Sequence, residues 1–331
     1  MMAAMREISC VLCQTSQSAP IISDNGFTGR QCAECGLIFV SPRPTRQEIE
    51  EIYEQGEAYL SADFFVQGPA ALVSVLRARR DAKLTQRHAS GGSVLEIGPG
   101  RGTFLVAARQ RGFQVFGVEL NPAQAAFIRD DQGIPCAESL DAASELRTEH
   151  FDVIYHRDVI SHFYDPHEEM GRLRALLKPG GMHIFETGNL ADVDHRYLKL
   201  IKSFQYPDHL FFYGDCSLAK LLDQTGFELV HAYRWSLLPE TWVRSGVNRA
   251  MARIGGGGVA EGGATPVVGS EAGNGGTEPV VRPAAATAHG MAENIARQAL
   301  DLFYQGLQSS VGRISVRKRV PQTLIVVARK R

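Results

Sequence analysis

Short apolar runs at residues 94–97, 114–119, 151–155 and 182–186 alternate with segments at 103–111, 122–131 and 166–177, whose apolar residues recur every three or four positions. Runs of that length suit buried strands, and the longer recurrence suits helices with one apolar face. Their alternation predicts a parallel, doubly wound α/β sheet, since each crossover packs a helix back onto the strands. A weaker run at 134–136 and two later ones at 227–234 and 323–329 raise the expected strand count to seven. Lys178-Pro179-Gly180-Gly181 supplies the turn that stops the third helix before its strand.

The N-terminal segment has a different pattern. Cys10-x2-Cys13 and Cys32-x2-Cys35 are separated by 18 residues, with short strands expected at 21–22 and 27–30 between them. Two such knuckles can close a tetrahedron of thiolates around zinc, and with four sulfurs no coordination position stays open, so the ion is expected to be structural. Residues 1–44 are therefore read as a zinc ribbon, and 45–90 as a helical connector with helices at 47–55 and 69–88. No run approaches the roughly 18 to 20 apolar residues that span a bilayer, and residues 1–9 lack the apolar core of a signal peptide. A cytoplasmic location is the expectation, and in that reducing compartment the six cysteines read as metal ligands or thiols before disulfides.

The candidate chemistry starts where the first strand of the sheet ends, in Val94-Leu95-Glu96-Ile97-Gly98-Pro99-Gly100-Arg101-Gly102. A glycine loop between strand and helix can cradle several nucleotides. Here the third glycine comes one residue earlier than the dinucleotide fingerprint places it. Glu96 separates the ligands further: a carboxylate aimed into the loop repels a pyrophosphate and attracts a ligand carrying sulfonium and ammonium groups. Glu119, closing the second strand, can accept hydrogen bonds from a ribose diol. Together the two acids point to S-adenosylmethionine.

At these residues, and at Phe151-Asp152-Val153-Ile154, Asp158-Val159-Ile160-Ser161-His162 and Leu176-Leu177-Lys178-Pro179-Gly180-Gly181, the chain resembles the class I S-adenosylmethionine-dependent methyltransferases. The resemblance implies a seven-stranded, mostly parallel, Rossmann-like sheet formed by residues 91–253 and 310–331. It implies that Glu96, Gly98, Gly100 and Gly102 hold the methionine end, that Glu119 holds the ribose, and that Glu138 and Ser139 lie by the adenine. Tyr155, His156 and Arg157 would line the floor beside the sulfur. Where many relatives have Glu-His, this chain has Ser161-His162. A zinc ribbon ahead of such a domain also resembles bacterial enzymes that methylate sugars and natural products. Their His-containing motif has a partial counterpart in Tyr206-Pro207-Asp208-His209-Leu210-Phe211-Phe212, while the additional C-terminal domain of the sugar C-methylating enzymes has none.

Methyl transfer to a hydroxyl or acidic C–H benefits from a general base, and His209 is the first candidate, followed by His162 and then His195. All three are expected in loops beyond the carboxyl ends of the strands. His209 lies among Tyr206, Phe211, Phe212 and Tyr213, which could wall a pocket or pack the loop, and its ring could instead cap a helix near Asp215 or pair with Asp208. A net charge of −1, with 21% charged residues, supplies no bulk attraction to nucleic acid or membrane. The acceptor is thus expected to be a small molecule, a sugar or secondary metabolite. An RNA methyltransferase gripping substrate with its ribbon is the second reading, and a non-catalytic cofactor-binding scaffold the third. Arg6, Arg30 and Arg43 are the only basic residues in the first 44, few for tracking phosphates. Residues 254–290, rich in Gly, Ala and Pro, read as a disordered insertion, and 291–309 as an amphipathic helix. For that helix a lid, a homodimer contact and plain packing on the sheet are all open.

Overall fold

In the computed structural model, the described residues are 5–49, 69–141, 150–199, 201, 203–236 and 319–331. The expected insertion at 254–290, the amphipathic helix at 291–309 and most of the first connector helix lie outside them.

The cysteine segment folds as an antiparallel meander of β1 (Ser18–Asp24), β2 (Phe27–Cys32) and β3 (Ile38–Val40). Asn25 and Gly26 turn β1 into β2 with positive φ at both residues, a backbone twist that suits a tight hairpin. Helix α1 (Pro69–His88) leads into the alternating part, which runs β4 (Ser93–Ile97), α2 (Thr103–Arg109), β5 (Gln114–Val118), α3 (Pro122–Asp130), β6 (Cys136–Ala137), β7 (Phe151–Arg157), α4 (Pro166–Leu176) and β8 (Leu177–Gly188). After a short helix α5 (His195–Leu198) come β9 (Phe211–Phe212), α6 (Asp215–Gln224), β10 (Phe227–Ser236) and β11 (Gln322–Lys330). The helices start where their side chains allow: Asn121 accepts from Gln124 N at 3.1 Å, Asp165 accepts from His167 N and Glu168 N, and each cap is followed by proline.

The large sheet has the order β10-β11-β8-β7-β4-β5-β6. β4 pairs in parallel with β5 and β7, β5 with β6, and β7 with β8, while β11 enters antiparallel between β8 and β10. This is the doubly wound, seven-stranded, mostly parallel architecture expected. Lys178 to Gly181 depart in detail. They form a bulge at the start of β8, where Phe151 faces Leu177 and Val153 already faces Met182.

The ribbon is not a detached module. β9 extends its sheet to the order β1-β2-β3-β9, and one apolar cluster runs from Cys10, Leu37 and Phe39 through Phe211 to Leu95, Ile154 and Phe185 of the large sheet. The opposite face of that sheet buries Val94, Val153, Tyr155 and Ile184 against Ala78 and Ala82 of α1 and Phe104 of α2.

Candidate functional site

The chain reverses its strand order between β4 and β7, and ligands of doubly wound sheets bind beyond the carboxyl ends of the strands at such a switch. The loop leaving β4 places Gly98, Gly100 and Gly102 at φ of 65°, 53° and 67°. A side chain is strained at such angles, and at Gly102 a Cβ would also meet the Gln132 amide oxygen at 2.6 Å. The loop backbone can therefore approach a ligand closely.

Glu96, at the end of β4, is 5% exposed, and its Oε2 has no hydrogen-bond partner among the described residues. Burial, with the nearby carboxylates of Glu119 and Asp81, pushes its carboxyl up to about 8 against the pull of Arg157. An orphaned buried acid costs stability unless a ligand satisfies it. Glu119 follows β5 and accepts from Gly100 N at 2.9 Å and Asn121 N at 3.0 Å; burial still holds its carboxyl above the usual range. These residues fit the chemistry of S-adenosylmethionine: two acids and a glycine cradle meet at one strand crevice.

Glu96 makes the fold pH-sensitive. The folded chain keeps this proton to about pH 8, whereas an unfolded glutamate loses it near its ordinary value of 4.5. The stabilisation is complete below that lower value and is lost as pH rises through the upper one. Urea midpoints of the ligand-free protein are expected to fall between pH 5 and 8, and Glu96→Gln to flatten part of that fall. Identical slopes in the two proteins would rule this out.

The remaining cofactor candidates separate. Glu138 and Ser139 follow β6, beside the end of β5, with Glu138 exposed and 3.4 Å from Arg129. His156 is a correction to the sequence reading. It pairs in register with Ile97 and so faces away from Glu96, which pairs with Tyr155. Its ring is wholly buried, stacked on Phe185 at 5.1 Å and beside His183 at 5.0 Å, with neither nitrogen bonded among the described residues. Burial, then His183, lowers it well below the ordinary histidine value. A neutral core ring with no exposed surface cannot meet a ligand.

His162 and His209 do come together, with centroids 4.4 Å apart and rings edge to face. His162 Nδ1 lies 3.0 Å from Asp208 Oδ1 and 3.1 Å from the Asp208 carbonyl. Two oxygen acceptors require that this nitrogen carry the proton, which leaves Nε2 as the lone-pair nitrogen of the neutral ring. Burial and then His162 lower His209 to about 4, against the pull of Asp208, so its imidazole is neutral near pH 7. Asp208 thus pairs with His162. Nor does His209 cap α6, whose first amides are met by Ser217 Oγ and Asp192 Oδ2. The cluster adjoins the glycine loop, because His162 N donates to Val159 O at 2.9 Å and a Cβ on Gly98 would touch Val159 Cγ2 at 3.1 Å. His195 lies apart, at the first position of α5.

A second set of charges was missed by sequence reasoning. Asp81 of α1 accepts from Arg80 Nε at 2.7 Å, Arg157 Nη2 at 2.6 Å and Tyr155 Oη at 2.9 Å, and Glu186 accepts from Arg80 Nη2 at 2.9 Å. Burial alone would raise the Asp81 carboxyl, but the two guanidiniums hold it below its usual range.

In the ribbon, ligand atoms of Cys10, Cys13, Cys32 and Cys35 lie within 4.8 Å of one another, and all four cysteines are free. Cys10 and Cys35 sulfurs are 3.6 Å apart, close to the ~3.8 Å edge of a tetrahedron with Zn–S bonds of ~2.3 Å. Lys220 Nζ donates to Cys13 Sγ at 3.1 Å, a cation beside the sulfur cluster. The donor set fits a structural zinc ion.

Residues 73–232 match a family described as a methyltransferase domain. Residues 73–232 thus carry a methyltransferase domain, and the large sheet has the class I methyltransferase fold. Over 153 residues the chain is 29% identical to the C-methyltransferase NovU of Streptomyces niveus, covering 43% of this chain and 34% of the relative. Over 106 residues it is 32% identical to the ubiquinone biosynthesis O-methyltransferase of Histophilus somni, covering 29% and 44%. The chain thus spans less than half the length of these relatives. Among solved structures, the [4+2]-cyclase SpnF aligns with 17% identity over 87% of this chain and 98% of its own, at a TM-score of 0.48. No helix among the described residues is long and apolar enough to cross a membrane.

Proposed function

We propose that the chain transfers a methyl group from S-adenosylmethionine to a small molecule, a sugar or secondary metabolite, with His162 and His209 taking the acceptor's proton. The observation that carries this reading is the contact between the two halves. The histidine pair and the glycine loop meet through Val159, so an acceptor beside the histidines lies next to a cofactor on the loop.

In the proposed arrangement Glu96 faces the ammonium of the cofactor, Glu119 accepts from its ribose hydroxyls, and Glu138 and Ser139 border the adenine. The bound cofactor supplies a methyl carbon activated by its sulfonium. The protein's remaining work is to align the acceptor and remove its proton. Asp208 fixes the tautomer of His162, and the neutral imidazole of His209 stands beside it to share the proton. Cys10, Cys13, Cys32 and Cys35 would hold zinc as a structural ion.

An RNA acceptor is less well supported, because the ribbon spends its β3 edge on β9 and its apolar face on the α/β core. The test is binding and transfer together. S-adenosylhomocysteine titrated calorimetrically into the protein is expected to bind, and Glu119→Ala to weaken it by about 10- to 100-fold, the loss of one or two charge-assisted hydrogen bonds. Absence of binding, or full affinity in Glu119→Ala, removes the cofactor assignment. Labelled methyl transfer into a cell extract that vanishes on nuclease treatment removes the small-molecule acceptor.

A further inference from the structure

β9 is two residues long and, among the described residues, pairs only with the ribbon, with Ile38 opposite Phe212 and Phe39 opposite Phe211. A pair this short has little stability of its own, so it depends on what orders β3. The next rung decides its importance. Val40 N donates to Leu210 O at 3.0 Å, and Leu210 N donates to Ser161 O at 2.8 Å. Leu210 therefore links the ribbon to the 160s turn, with His209 beside it in sequence and His162 beside Ser161.

Both loops are tied again to residues 24–44. Asn25 Nδ2 donates to Tyr206 O at 2.9 Å, and the Asp24 carboxylate accepts from Phe204 N at 2.7 Å. Past β3, the buried Arg43 donates to Tyr164 O at 3.0 Å with its guanidinium 3.9 Å above the Tyr164 ring, while Tyr164 Oη donates to Pro44 O. The meander and the turn after it make these contacts, and the meander has Cys32 at the end of β2 and Cys35 three residues before β3, with Cys32 N bonded to Leu37 O across the knuckle. The cofactor side is built otherwise: Gly98 and Gly100 donate to Val118 O and Glu119, within the large sheet.

We propose that the cysteine-bound zinc ion positions the acceptor-side histidines: by ordering β2 and β3 it fixes β9, and through Leu210 it sets His209, Asp208 and His162, leaving cofactor binding to the large sheet. This rests on the zinc and histidine readings above. The ribbon residues are positioning residues. They touch the loops that carry the histidines, and their loss should separate acceptor chemistry from cofactor affinity.

The experiment is hydrogen exchange on the full chain as purified and after chelation, with zinc measured in both and S-adenosylhomocysteine titrated into each. On metal removal, protection at 38–40, 160–163 and 203–213 is expected to fall at least about tenfold, while 93–118 stays protected and the ligand Kd changes by less than about twofold. Zinc restores the lost protection. A second variant leaves the cysteines alone. A Cβ at Gly29 would overlap Tyr206 Oη and press on its ring, so Gly29→Ala should loosen 203–213 at unchanged zinc content. A purified chain without zinc sinks the zinc reading and the proposal with it. Zinc present, but 203–213 equally protected after chelation, overturns the proposal alone. So does parallel loss of ligand binding and of protection at 93–118, which would make the ion a support of the whole fold.

Discussion

Replacing His209 with Asn is expected to lower kcat by about 10²- to 10⁴-fold, the usual contribution of a positioned general base, with S-adenosylhomocysteine affinity unchanged. The two effects separate because His209 stands on the 203–213 loop, while Glu96, Gly100 and Glu119 meet one another at the ends of β4 and β5. His162→Asn should cost a similar factor. Asp208→Asn should cost less, since an amide oxygen can still accept from His162 Nδ1 while its stabilisation of the cation is lost. Transfer rate is measured under saturating acceptor, with calorimetric binding of S-adenosylhomocysteine beside it. Full turnover in His209→Asn would show that the acceptor needs no base there. A parallel loss of ligand affinity would instead make the histidine part of the fold.

The strands of the large sheet were legible because each is a local signal. Val94, Leu95 and Ile97, or Val153, Ile154 and Tyr155, are apolar on both faces, as strands buried under helices on both sides must be. Glu96 and Glu119 stood out as candidates for the opposite reason, as charges placed where the pattern calls for apolar residues. His156 misled because its position at the end of β7 is right and its face is wrong. Strand periodicity puts it with Ile97 and Phe185, on the side that packs toward the ribbon. The pairing of Asp208 with His162 spans 46 residues, and β9 is too short to show any period. Both follow from the ribbon docking on the large sheet, which local spacing does not encode. Asp81 was hidden in the same way, as one charge in an ordinary helical pattern whose partner Arg157 is 76 residues away.

That hidden carboxylate should produce the largest loss of stability. Asp81 is 1% exposed and accepts three hydrogen bonds, two of them from guanidiniums. Replacing it with Ala leaves Arg157 and the Tyr155 hydroxyl with unmet donors beneath α1, and breaking one member out of a buried ion network costs about 3 to 5 kcal/mol. In a domain of this size that is a fall in Tm of roughly 10 °C. The exposed pair of Asp223 and Arg331, 2.8 Å apart, is the control, because solvent screens it and Asp223→Ala should cost at most about 1 kcal/mol. The damage should reach the cofactor as well. Tyr155 stacks on Phe104 of α2 at 3.7 Å, and α2 begins at the last glycine of the loop, so a shifted Tyr155 unsettles the cradle. Asp81→Ala should therefore weaken S-adenosylhomocysteine binding at temperatures where the protein is still folded, and Asp81→Asn, which keeps an acceptor for Arg157, should do so less. Equal thermal stability of Asp81→Ala and Asp223→Ala would mean that Glu186 alone satisfies both arginines, and that the network holds nothing in place.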